Sequence, residues 1–542
     1  MTPIKPHCDV EVVVCGAGPV GLTAAALLAA RGIEVVVLEQ NASTSDEPKA
    51  ISIDDEALRV FQQAGIVDQI MPVLVPGTGT RYYDRAGTPL FHAKGPQPFR
   101  LGFPFKNPFA QPDLERVLAD AVTRAPNVTV RFGNRVSGFD QHPDHVSVHV
   151  ETATGASTVT ARYVLGCDGG RSATRLLQDI DMTGRSHDQV WLVADTVEDP
   201  HTERFAMHHG DPDRPHVIVP GLHGRCRYEF RLFDGEGDPQ QPPDFELIRK
   251  LVSRYRVLEP HQVERAVNYR FNAVVADEWM IGRSFLLGDA AHMMPPFAGQ
   301  GLNSGIRDAA NLCWKIADVL AGILDADVLA SYQRERFPHA LATVRMSERL
   351  GRVVMTTSPS MAARRDRRVA AALATEDGRA YLEQMRYRPP QHYTDGLVVP
   401  GDLPAHVGVP LGQPLVFDTA THSVCRLDRA LGTGWSLIGI DVGDEHWQGV
   451  ETILTAFDAT AAQLMLADHM PGSGRRALID VDHALNSEFI AYTGRFVLLR
   501  PDHFVAAAWT PDHTEDVIDR VLSWTPGAVV HNTPRQGAVS HG

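Results

Sequence analysis

An α/β architecture spread over several domains is what this sequence predicts, and three observations predict it. The chain opens with a β-branched run, a glycine-rich turn and an Ala/Leu-rich segment in direct succession, and a second β-branched run follows. That alternation of strand and helix patterns marks a parallel sheet wrapped by helices. The 542 residues exceed what one hydrophobic core serves, so two or three domains are expected. With 44% hydrophobic and 22% charged residues, the chain has the apolar content to fill their cores.

The first run, VEVVVC from Val10 to Cys15, suits a strand buried on both faces. It leads into Gly16-Ala-Gly18-Pro19-Val20-Gly21, then into an Ala/Leu-rich helix closed by Gly32. The second run, Ile33 to Leu38, ends at Glu39 and Gln40. In this setting the G-x-G-x-x-G spacing is a Rossmann-type dinucleotide fingerprint. Gly16 permits the tight turn, Gly18 lets the backbone approach a pyrophosphate, and Gly21 lets helix and strand pack closely. Free N–H groups at the helix start face the phosphates, and Glu39 accepts from ribose hydroxyls. A glycine turn alone is common in unrelated α/β proteins, whereas strand, helix and terminal acid here occur together. The fingerprint serves FAD or NAD alike, and the sequence contains one.

The net charge of −15, from 66 acidic and 51 basic residues, argues against nucleic acid as a partner. Arg364, Arg365, Arg367 and Arg368, in an Ala-rich stretch, read as a solvated helix face. Cys8, Cys15, Cys167, Cys226, Cys313 and Cys425 show no metal-ligand or disulfide spacing and read as reduced, mostly buried residues; no metal is expected. The N-terminus lacks a signal core, and no apolar run is long enough for a transmembrane helix. No membrane association and a cytoplasmic location are the expectation.

Two further segments carry chemistry. Tyr163 to Arg175 reads YVLGCDGGRSATR, a strand and a glycine turn with Asp168 at its tip. Residues 282 to 320 read GRSFLLGDAAHMMPPFAGQGLNSGIRDAANLCWKIADVL. There Pro295-Pro296 cannot continue a helix, and Gly299-Gln-Gly301 offers backbone to a ligand with few side chains in the way. From Leu302 the positions Ile306, Ala309, Ala310, Cys313, Ile316, Ala317 and Leu320 recur at helical spacing, so a helix starts at the glycine turn. Its N-terminal end suits negative charge.

Together the three segments resemble the flavoprotein aromatic hydroxylases with a single FAD-binding Rossmann domain. The resemblance implies that Asp168, Gly169 and Arg175 contact both FAD and the nicotinamide nucleotide. Gly288 and Asp289 would hold the flavin ribityl chain, while Pro296, Gly299, Gly301, Leu302 and Asn303 would line the ring. PKAISIDDEALRVFQQAGI and PPFAGQGLNSGIRDAANLCWK look like the 3-(3-hydroxyphenyl)propionate hydroxylase branch. Gln111 falls at the glutamine of that family's Q-x-x-L-E motif, near the flavin. Lys49 stands where most members have arginine, which keeps charge but loses the planar fork.

The resemblance also implies a fold: a Rossmann-type FAD-binding domain, an interleaved mixed β-sheet substrate domain and a C-terminal thioredoxin-like domain. The expected FAD-binding segments are residues 1–75, 110–185 and 275–345, and the substrate sheet takes residues 76–109 and 186–274. A helical connector covers residues 346–398, a thioredoxin-like domain without C-x-x-C residues 399–530, and a loose tail residues 531–542. Packing or dimerisation is the role expected of the C-terminal domain, and a homodimer the expected assembly.

The activity implied is hydroxylation of a small phenolic substrate with NADH or NADPH and O2, through a C4a-hydroperoxyflavin. Ortho-hydroxylation of 3-(3-hydroxyphenyl)propionate-like compounds is the leading expectation. The alternative is a tailoring monooxygenase, hydroxylating or Baeyer–Villiger, acting on a larger polyketide or quinone. Pro296 is expected beside the reacting ring. His292, Asp54 and Asp55 are candidates for a base that deprotonates the phenol, each with a structural role as the competing reading.

Overall fold

The computed structural model describes residues 8–45, 49–75, 77–238, 240–466, 476–481, 483 and 486–527. The expected tail at 531–542 lies outside these. The chain divides into two compact units, Met1–Trp314 with Tyr332–Gln391, and Lys315–Ser331 with His392–Gly542.

The first unit contains two large sheets. In one, strand Val10–Cys15 lies between Val35–Glu39 and Gly155–Gly166 and is parallel to both, with Cys15 opposite Leu38 and Gly166. Val128–Phe132 and Ser284–Leu286 extend the parallel array on either side. Val12, Val13 and Val14 are fully buried, as a β-branched strand covered on both faces must be. The helix Pro19–Ala30 follows the fingerprint.

The second sheet is mixed and interleaved with the first in sequence. Its long antiparallel pair, Met182–Thr196 with Val263–Ala276, is continued by Cys226–Arg231, His216–Pro220, Ala206–His209, Thr80–Tyr83 and Pro89–Ala93. The two-residue strand His292–Met293 pairs at the other edge. A separate small ladder joins Ser52–Asp54 to Lys106–Pro108.

Helices Ser331–Val354, Pro359–Leu373 and Glu376–Glu383 complete this unit. The stretch expected as a connector thus belongs to the first unit as far as Gln391. One part of the arginine cluster departs from the solvated face expected of it. Arg364, Arg367 and Arg368 are exposed, but Arg365 is buried and donates to the carbonyls of Gly210 at 2.8 Å and Val354 at 2.9 Å. Burial is tolerated because Asp366 also accepts from its guanidinium, at 2.7 and 2.8 Å.

The second unit holds a seven-stranded mixed sheet of thioredoxin-like type. Ser436–Ile440, Thr460–Met465 and Ala477–Asp480 run parallel, and the hairpin Arg495–Leu499 with Val505–Trp509 runs antiparallel beside them. All six cysteines are free, and among the described residues no helix is long and apolar enough to cross a membrane.

Candidate functional site

Three parallel strands deliver the three motifs to one edge of the first sheet. Val10–Cys15 runs into Gly16, Gly155–Gly166 into Cys167-Asp168, and Ser284–Leu286 into Gly288-Asp289. Carboxyl ends of parallel strands are where such sheets bind ligands.

Gly16 has φ +103°, and a Cβ there would lie 2.6 Å from the Cys167 carbonyl oxygen. A Cβ on Gly21 would lie 2.0 Å from the Gly16 oxygen, so helix and strand touch through glycine alone. Gly18 is different: a Cβ there would meet nothing within 4 Å, and the same holds at Gly169 and Gly301. At each of these three glycines the space a side chain would take is open, so backbone there can be approached closely. Pro19 opens the fingerprint helix, and Val20 packs against both Gly288 and Gly305. Glu39 accepts from the Ala17 N–H at 2.9 Å and from the Asn41 N–H at 2.9 Å, which fixes its carboxylate at the rim, next to the exposed Gln40.

Gln111 accepts from the backbone N–H groups of Lys49 at 3.2 Å and Ala50 at 2.6 Å and donates to Glu115 at 2.6 Å. It therefore sets the path of the loop carrying Lys49, whose side chain is exposed. Asp168 accepts from Ser172 and from the N–H and hydroxyl of Thr174, at 2.8 and 3.0 Å, and so shapes its own turn. Arg175 donates to the Gly170 carbonyl at 3.0 Å and the Ala290 carbonyl at 3.1 Å, tying the second motif to the third.

In the third motif Asp289 is exposed, whereas His292 is fully buried. His292 Nε2 lies 2.7 Å from Asp308, which also accepts from the Gly288 N–H at 3.0 Å and from Arg336 at 2.9 Å. Although burial opposes its charge, His292 and Arg336 hold the Asp308 carboxyl below the usual range. The Pro296 carbonyl accepts from the Gly299 N–H at 2.8 Å, and Phe297 packs edge-on against Trp191 and Phe271, with ring centroids 5.3 and 5.4 Å away. The helix Gly301–Ala321 then begins, with Leu302 half-buried and Asn303 buried in its first turn.

Asp54 is engaged in an ion-pair network. It caps the helix Asp55–Gln63 by accepting from Ala57, and it accepts from Arg307 at 2.6 Å and Arg388 at 2.8 Å. Glu56 pairs with the same Arg307. Burial, then Glu56 and Asp54, push the Asp55 carboxyl well above its ordinary range. Burial pushes the Cys15 and Cys167 thiols up as well, so neither serves as a nucleophile.

Sequence reasoning missed Asp308, Arg336, Arg307 and Arg388. Arg307 and Asp308 fall beside the apolar stripe of Ile306, Ala309 and Ala310, where polar residues of any amphipathic helix lie, so neither carries a signal of burial. Arg336 and Arg388 come from distant segments and carry no mark either.

Three glycine motifs at the carboxyl ends of parallel strands, with a glycine turn opening a long helix, define a protein of the dinucleotide-binding class. Residues 9–347 match the FAD binding domain family, and residues 408–523 match the HcaD C-terminal domain. The chain belongs to that FAD-binding monooxygenase family. It is 34% identical, over 100% of its length and 96% of the relative's, to a 3-(3-hydroxy-phenyl)propionate/3-hydroxycinnamic acid hydroxylase of Mycobacterium sp. (strain JLS). A hydroxylase of the same name from Mycolicibacterium gilvum (strain PYR-GCK) is 36% identical over 95% of this chain and 92% of its own. Among solved structures, the flavin-dependent monooxygenase PieE, with FAD and substrate, superposes with a TM-score of 0.77 at 22% identity, covering 96% of this chain and 100% of that one. Aklavinone-11 hydroxylase with FAD and aklavinone gives 0.75 at 22%, covering 95% and 99%. At that identity the likeness is one of fold.

Proposed function

We propose that this protein hydroxylates a phenol carrying a carboxylate side chain, of the 3-(3-hydroxyphenyl)propionate type, with O2 and NADH or NADPH as co-substrates. The observation that carries this reading is the identity of 34–36% across essentially the whole chain to hydroxylases of that name. The open glycines fit FAD, and Gly16, Gly18, Pro19, Val20, Gly21, Glu39 and Gln40 would take its adenosine diphosphate half. Lys49, Gln111, Asp168, Gly169, Arg175, Gly288 and Asp289 would hold the middle of the molecule. Pro296, Gly299, Gly301, Leu302 and Asn303 would receive the ring. FAD bound there supplies electron transfer and the activation of O2.

The chain's own contribution is positioning and exclusion of water. The first turn of Gly301–Ala321 offers backbone N–H groups and the positive end of its dipole to developing negative charge. Trp191, Phe271 and Phe297 form an apolar wall next to Pro296 that keeps water from the reacting centre. His292 and Asp54 act in this reading through structure: one orients the Gly288 turn with Asp308, and the other anchors Arg307 and Arg388.

The test is to purify the protein, record its flavin spectrum, and follow NADH and NADPH oxidation and O2 uptake over a panel of phenols. The expected outcome is several-fold stimulation by 3-(3-hydroxyphenyl)propionate with a catechol as product. Activity confined to polycyclic substrates would move the assignment to a tailoring monooxygenase. A protein that binds no FAD on reconstitution would remove it.

A further inference from the structure

Lys106 lies in the short strand Lys106–Pro108, opposite Asp54 in register. Its Nζ is 3.8 Å from the position that a Cβ on Gly299 would occupy, at the glycine turn preceding the long helix. Asp54, Arg388 and His208 bear on it. Asp54 is already shared by Arg307 and Arg388. Arg388 repels it, and its own guanidinium stacks 4.8 Å from the Phe105 ring. Glu56 is taken by Arg307 and Gln391. His208, in the strand Ala206–His209, is held at about 3 by burial and then by Lys106, so it stays neutral and adds no competing charge. Within the described residues the Lys106 ammonium forms no hydrogen bond or ion pair. Burial and then Arg388 pull it down to about 8.

The ammonium is half-buried and makes no ion pair among the described residues, and the one carboxylate opposite it, Asp54, is already engaged by two arginines, so the ammonium is left able to receive an incoming anion. Aromatic groups adjoin His208: Tyr82 lies 5.1 Å from its ring, stacks on Phe91 with centroids 4.6 Å apart, and meets the Tyr387 hydroxyl at 3.4 Å. We propose that Lys106 is a specificity-determining residue, whose ammonium beside the Gly299 turn binds an oxyanion of the aromatic substrate. This rests on the hydroxylase reading above. The oxyanion has two sources in such a substrate, the side-chain carboxylate and the ionised phenol.

The experiment compares FAD-loaded wild type, Lys106→Met and Lys106→Arg by flavin difference-spectrum titration and by the split of KM from kcat. The three ligands are 3-(3-hydroxyphenyl)propionate, 3-phenylpropionate and 3-ethylphenol. Lys106→Met is expected to raise Kd for the first by about 10- to 100-fold, the loss of one charged hydrogen bond, while Lys106→Arg restores much of it. A parallel loss for 3-phenylpropionate alone identifies the carboxylate, and for 3-ethylphenol alone the phenol oxygen. Unchanged Kd values for all three overturn the proposal, as does uniform weakening accompanied by loss of FAD. A wild type that binds and turns over the full substrate while Lys106→Met does so equally well defeats Lys106 but leaves the hydroxylase reading standing. A wild type that binds none of the three defeats both.

Discussion

At the residue scale, Gly18 and Gly21 separate two tasks that a glycine fingerprint merges. Gly18 has φ −74° and ψ 176°, which any residue adopts, and open space where its Cβ would go. Gly18→Ala is therefore expected to leave the thermal stability of the FAD-free protein unchanged. It should raise the Kd for FAD by at least about tenfold, or ~1.4 kcal/mol, because the methyl occupies the ligand's side of the turn. In Gly21→Ala the methyl meets the Gly16 oxygen at 2.0 Å, and backbone has to move. That variant should lose about 3 kcal/mol in urea unfolding of the FAD-free protein. If Gly18→Ala were the less stable of the two, the division of tasks would be refuted.

At the scale of elements, Asn303 joins the start of the long helix to the strand Ser52–Asp54. Its side chain accepts from the Asp54 N–H at 3.0 Å and donates to the carbonyls of Ser52 at 3.1 Å and Gly299 at 2.7 Å. Asn303→Ala removes its bonds to the buried backbone of Ser52 and Asp54 and is expected to cost about 3 kcal/mol, with FAD affinity falling alongside. Equal denaturation midpoints for variant and wild type would contradict it. The same residue shows where sequence reading stops. The strand Val10–Cys15, the helix Pro19–Ala30 and the entry to Gly301–Ala321 are legible because their signals are local: β-branching, glycine spacing and apolar periodicity. Asn303 to Ser52 spans 251 positions and Arg336 to Asp308 spans 28, and neither pairing leaves a trace in periodicity. The buried Arg365 is misread for the same reason: its acceptor Gly210 lies 155 positions away. The motifs give the side of the site that backbone builds, and the charged side chains of Lys106, Arg307 and Arg388 have to be seen in place.

At the scale of the whole molecule, the second sheet makes stability depend on pH through histidines, three of them strongly shifted. His208, His209 and His216 lie on the neighbouring strands Ala206–His209 and His216–Pro220, with His209 stacked between Tyr83 and His216 at centroid distances of 4.4 and 4.3 Å. Burial depresses His208 and His209 to about 3 and His216 to about 4. A histidine depressed in the folded state takes up its proton first in the unfolded chain, at about 6.5, so folding loses stability as pH falls below that value. Each contributes up to about 1.4 kcal/mol per pH unit until its folded value is reached. His201 runs the other way: its hydrogen bond to Asp199 raises it, and its contribution is already fully present below 6.5. Asp199, lowered to about 2, begins to lose its contribution only as pH drops through the normal aspartate range near 4. Across the interval from 6.5 to about 4.5 these histidines, with His92 and His339, lower stability as pH falls, while carboxyls held above their ordinary range, Asp55 and Glu229 among them, act in the opposite sense. Unfolding free energy, measured by urea titration at half-unit pH steps, reads the sum of these contributions, and substitution isolates the share of one histidine. His209→Phe keeps the ring in the stack and removes the titration, so its slope should be shallower by about 1.4 kcal/mol per pH unit. An unaltered slope in that variant would mean that His209 is protonated in the folded protein.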